Sequence, residues 1–125
     1  MREFTKEAKL IRHAKLTQLM RAELSEIIRR EVKDPRLHSL TVTEVNLDPD
    51  MRSAVVYVAR LLEEEGQEIT KAEQEEFMKG LKSASHFIYE RLKKRLVLKV
   101  IPSLKFQYDI RLPDLSRLWH KMGNL

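Results

Sequence analysis

The apolar residues Leu16, Met20, Leu24, Ile27, Ile28 and Val32 recur at steps of three and four, the spacing that lines one face of an α-helix. No other feature constrains the fold as strongly, because a helix over residues 12–33 must lay this stripe on an apolar surface. The sequence "KDPRL" then stops it. Pro35 disfavours a helical conformation at Asp34, and its ring cannot continue the ladder, so Asp34 is placed to brace a turn. Two segments rich in Val and Thr follow, "LTVTEVNL" and "RSAVVYVARL", on either side of the turn-forming cluster "DPDM". They predict an antiparallel β-hairpin. The alternation slips between Val42 and Val45, which a bulge or a strand covered on both faces would explain.

Beyond an acidic loop, Thr70 and Glu73 have the spacing of a capping box and predict the start of a second helix. In "GLKSASHFIYERLKKRL", residues 80–96, Ser83, Ala84 and Ser85 interrupt the larger apolar positions, and the two serine hydroxyls compete for backbone hydrogen bonds. This reads as a pinch that ends the second helix and begins a third, which runs to about Arg95. Ser83 or Ser85 would cap the new helix, His86 would sit near its start, and Ala84 would be packed tightly where the two helices approach. "LVLKVIP" reads as an extended connector. "LKFQYDI" reads as a last strand with Leu104, Phe106 and Tyr108 on one face. In the tail, Leu115, Leu118, Trp119 and Met122 suit a short amphipathic turn.

At 125 residues the chain is expected to form one domain over 1–125, with its core at about 10–110 and a C-terminal tail at 111–125. Hydrophobic residues at 42% and charged residues at 34% indicate a globular chain, not a disordered one. Without cysteine there is neither a disulfide frame nor a thiolate metal site. The charged N-terminus and the shortness of the longest apolar run predict a cytoplasmic protein with no membrane association. The net charge of +5 suggests a polyanionic partner. The charge is also unevenly placed: "EEEGQEITKAEQEE" is strongly acidic, while from Lys79 to Lys105 the only acid is Glu90.

The order helix, two strands, two helices, strand is the αββααβ arrangement of a type II KH domain, an RNA-binding α+β fold with a three-stranded sheet, three helices and an interrupted helix pair. The residues carry a closer likeness. "RREVKDPRL" from Arg29, "AVVYV" from Ala54 and "LKSASHFIYERLKKRLVLKVIPSLKFQYD" from Leu81 resemble the bacterial ribosome-binding factor A family over roughly residues 14–109. The resemblance implies a factor that binds the small (30S) ribosomal subunit, assists late maturation and processing of 16S rRNA, and matters in the cold. The family replaces the Gly-x-x-Gly loop of ordinary KH domains with an Ala-x-Gly helix–kink–helix. This chain has Ala84, Ser85 and His86 there, departing from that glycine.

Candidate RNA-binding residues therefore fall in two clusters. Arg29, Arg30, Lys33 and Arg36 surround the end of the first helix, where cations also suit the helix dipole. Ser83, Ala84, Ser85 and His86 form the pinch, from which Arg91, Lys93, Lys94, Arg95 and Lys99 would track phosphates. Catalysis is not expected. The four histidines are scattered, the three glycines build no phosphate-cradling loop, and the acids cluster where a raised pKa would be hard to sustain. No metal, cofactor or small-molecule substrate is predicted, and no heptad seam points away from a monomer. A charged protein-interaction module and a DNA-binding regulator remain as alternatives.

Overall fold

The structure, a computed structural model, describes residues 2–60 and 68–110. Helix α1 (Arg2–Glu26) begins well before the apolar stripe, because residues 2–12 are mostly good helix formers although Leu10 and Ile11 stay exposed. Its last turn widens into a π-turn, Ile27–Glu31, closed by the Val32 amide donating to the Ile27 carbonyl at 3.2 Å. The extra residue in this turn lets Ile27, Ile28 and Val32 all face the core, where each is buried. A single 3₁₀ turn, Pro35–Ser39, follows with Asp34 as its cap: the Asp34 carboxylate accepts from the Arg36 amide at 3.0 Å. The stop at Pro35 and the bracing role of Asp34 thus stand as the sequence predicts.

Strands β1 (Leu40–Leu47) and β2 (Ser53–Arg60) form the antiparallel hairpin. The slip in β1 is a bulge, with the register shifting between Val42 and Glu44, and Thr43 is the extra residue. Its hydroxyl donates to the buried carboxylate of Asp109 at 2.7 Å, so the end of the last strand secures the bulge. Strand β3 (Ser103–Tyr108) lies parallel to β2, giving a mixed sheet in the order β1-β2-β3. Cross-strand partners make layers of side chains on one face: Val42, Val58 and Tyr108, then Val45, Val56 and Phe106, then Leu47, Ala54 and Leu104. Leu16, Met20, Leu24, Leu81, Ile88 and Leu92 from the helices complete this core.

Helix α2 (Lys71–Arg95) corrects the expected interruption. It opens with the predicted capping box, in which Thr70 accepts from the Glu73 amide at 3.1 Å. It then runs unbroken for 25 residues, through Ser83, Ala84 and Ser85. Ser85 Oγ does not cap a helix start but donates to the Lys82 carbonyl at 2.8 Å, leaving the ladder intact. The expected second and third helices are therefore one, and the described residues contain two long helices with two short turns instead of an interrupted helix pair. Residues 61–67, which include the start of the acidic stretch, and the tail at 111–125, with Leu115, Leu118, Trp119 and Met122, lie outside the described residues, while the end of that stretch forms the first turns of α2.

Candidate nucleic-acid interface

The small residues of α2 have a different use. Gly80, Ser83, Ala84 and Phe87 follow the i, i+3, i+4, i+7 spacing and share one face of the helix. Opposite them stands the turn after α1, so that Lys33, Asp34 and Arg36 form the other wall of an open groove of about 580 Å³. Gly80 sets the closeness of the two walls: a Cβ there would meet Leu37 Cδ2 at 3.0 Å and Asp34 Oδ2 at 3.4 Å. Ala84 is half-buried, packed against the core and also lining the groove, so it is less enclosed than the expectation of tight packing had it.

The fold thus joins the two predicted clusters into one site, with Lys33 and Arg36 facing Ser83 and Ala84 across the groove. Arg36 is committed within it. Its Nε and Nη2 donate to the two oxygens of Asp34 at 3.2 and 3.0 Å, and its Nη1 donates to Glu76 at 2.9 Å. Those side-chain bonds, with the Arg36 amide, hold the Asp34 carboxyl below its ordinary pKa, and the two carboxylates in turn raise that of Arg36. Lys33 and Lys79 on the rim are exposed and have no ion-pair partner among the described residues. The Arg36–Glu76 bridge also borders a second groove, of about 430 Å³, whose floor includes Leu37, Ala72 and Phe77.

The remaining predicted residues fall outside the groove. Arg29 is exposed, and Arg30 is paired with Glu26 at 3.3 Å in a solvated i, i+4 bridge. Ser85 is half-buried and His86 exposed. Arg91 lies over the Phe87 ring, 5.4 Å from its centroid, which gives the groove floor a cationic edge. Lys93 and Lys94 are exposed on the last turn of α2, and Lys99 on the loop beyond it. Arg95 behaves differently: its Nη1 donates to Glu23 at 2.7 Å and its Nη2 lies 3.1 Å from Glu31, tying α2 to α1 and the π-turn. Both contacts raise its pKa, the one to Glu23 more.

Glu76, Lys79, Gly80 and Phe87 belong to the site but were not singled out from sequence. The helical spacing of Gly80 with Ser83, Ala84 and Phe87 is the signal that locates them. With lysines on its rim, a floor of small and aromatic side chains, and no cluster of metal-ligating groups among the described residues, the groove is equipped to bind an anion with a flat apolar part.

Comparison with known proteins identifies the lineage. The ribosome-binding factor A family pattern matches residues 12–121, spanning both walls of the groove and the basic end of α2. The chain belongs to the ribosome-binding factor A family. A family member from Dictyoglomus thermophilum is 38% identical over 115 residues, covering 91% of this chain and 90% of that protein. One from Thiobacillus denitrificans is 41% identical over 98 residues, covering 78% and 73%. The crystal structure of ribosome-binding factor A from Thermus thermophilus is similar with a TM-score of 0.62 at 29% identity, over 77% of this chain and 93% of that one. A Thermus thermophilus ribosome-binding factor A homology model, fitted into a cryo-EM map of its complex with the 30S subunit, is similar with a TM-score of 0.57 at 30% identity, over 74% and 90%.

Proposed function

We propose that this chain binds the 30S ribosomal subunit during its late maturation and contacts 16S rRNA through the groove and the basic end of α2. Lys33 and Lys79 take phosphates at the groove rim, Ser83 and Ala84 admit the backbone closely, and Lys93, Lys94 and Lys99 continue the phosphate track. Arg29, Arg30, Arg91 and His86 extend the cationic and polar border. In this reading the domain is KH-like in its sheet and packing, and the nucleotide-clamping loop is replaced by the groove along an unbroken helix. The protein acts as a cytoplasmic monomer without cofactor. It assists processing by shaping the rRNA for a nuclease, with the greatest effect in the cold, where misfolded RNA is slow to rearrange.

The observation that carries this proposal is the convergence of residues 33–36 and 79–84, distant in sequence, on one groove whose rim lysines form no ion pair among the described residues. The family relation supports it, as does the 30S complex of a structural neighbour. Co-sedimentation on sucrose gradients tests it. The expected result is co-migration with 30S subunits and not with 70S ribosomes. Absence from ribosomal fractions would overturn the proposal in favour of a protein-interaction or DNA-binding role.

A further inference from the structure

The loop between α2 and β3 has an unusual surface. Leu96, at the end of α2, and Ile101 are both buried, and Pro102 beside Ile101 is fully buried, so both ends of the loop are anchored in the core. Between the anchors, Val97 is 100% exposed, Val100 is 67% exposed and Leu98 is 42% exposed. Three apolar side chains within four residues are presented to water on an arch that its anchors hold in place. Lys99 is exposed among them, and Lys93 and Lys94 are exposed on the helical turn just before. None of these lysines has an ion-pair partner among the described residues, and residues 91–108 contain no Asp or Glu.

We infer that this arch is a second RNA contact, in which Val97 and Val100 lie against the faces or sugar edges of unstacked nucleotides while Lys93, Lys94 and Lys99 hold the adjoining phosphates. The inference rests on the functional reading above and adds to it a site, a contact chemistry and a preference for unpaired or distorted RNA. Three features select nucleic acid as the occupant. Lys93, Lys94 and Lys99 form no ion pair among the described residues, with Glu90 one helical turn before the first two as the nearest acid in sequence, so they are open to an anionic partner. Apolar and cationic side chains are interleaved along the chain, matching a polymer whose every unit has one charge and one flat apolar face. Apolar wedges are also a recurrent means of holding unstacked base steps, and the arch continues the basic track of α2. Its anchored ends mean that little conformational freedom is lost on binding.

The test uses the full chain and purified 30S subunits. Val97→Ser with Val100→Ser should weaken binding roughly tenfold, by removing two partly buried apolar contacts. The dependence of affinity on salt should not change, because no charge is removed. Both positions are exposed, so the thermal melt should match the parent and show that the fold is intact. A photo-crosslinking residue at position 97 should attach to 16S rRNA. Cross-linking instead to a ribosomal protein, to a second copy or to residues 111–125 of the same chain would overturn the inference, as would parental affinity in the double variant. A parent chain that fails to bind subunits would overturn the functional reading and the arch with it. A parent that binds while the double variant binds equally well overturns the arch alone.

Discussion

Arg95 stands in a basic run with Lys93 and Lys94, yet the structure gives it a different task, and Arg95→Gln should separate the two. Its guanidinium lies 2.7 Å from Glu23 and 3.1 Å from Glu31, with side-chain exposures of 34%, 27% and 25% for Arg95, Glu23 and Glu31. Ion pairs this accessible are screened and contribute about 0.5–1 kcal/mol each. Removing the arginine also leaves two carboxylates sharing one pocket, and Oε2 of Glu31 is already buried without a hydrogen-bond partner among the described residues. The sum is a loss of about 1–2 kcal/mol, visible as a lower midpoint in thermal or urea denaturation. The salt dependence of 30S binding should keep its slope if the guanidinium stays engaged by Glu23 and Glu31 and takes no phosphate. Lys93→Gln with Lys94→Gln should do the reverse. At about 0.7–0.9 units of log–log slope per phosphate contact, the double variant should lose roughly 1.4–1.8 units while melting within about 0.5 kcal/mol of the parent. An Arg95→Gln protein of parental stability whose salt slope falls by about one contact would refute the assignment and make Arg95 an RNA ligand.

Gly80→Leu should destabilise by about 1–3 kcal/mol in urea denaturation, since even a Cβ there meets Leu37 at 3.0 Å, and it should also weaken 30S binding by filling the groove; parental stability would mean that the two walls are not held this close. Asp34, whose folded-state pKa is lowered by its bonds from Arg36, contributes stability that is present above the ordinary carboxylate pKa and lost as pH falls through the folded value. Asp34→Asn should therefore flatten the acid limb of a stability-versus-pH curve measured by chemical denaturation, and an unchanged limb would count against the Asp34–Arg36 contact.

Much of the architecture was legible because its causes are local. The stripe from Leu16 to Val32, the stop at Pro35, the Thr70 capping box and the alternation through β2 and β3 each depend on residues within a few positions of one another, so pattern alone specifies them. The slip at Thr43 also showed in the pattern, although the choice of a bulge rested on Asp109, far along the chain. The family likeness was legible in "KDPRL" and in the run from Leu81 to Asp109 for the same local reason.

Long-range packing decided the rest. The small residues at 83–85 resemble a helix breaker when only backbone competition is considered. The Ser85 hydroxyl is instead satisfied by the Lys82 carbonyl, and small side chains on this face leave room for the 33–37 turn, so the helix continues and a groove opens beside it. Arg95 and Lys94 are indistinguishable as neighbours in a basic run. Only the placement of α2 beside α1 brings Glu23 and Glu31 to Arg95 and leaves Lys94 in water. Periodicity and capping determine which segments are helix and strand, because those energies act over a few residues. Which cations are neutralised, and which distant residues share a groove, depends on how the finished elements pack across the sheet, and that geometry belongs to the tertiary structure.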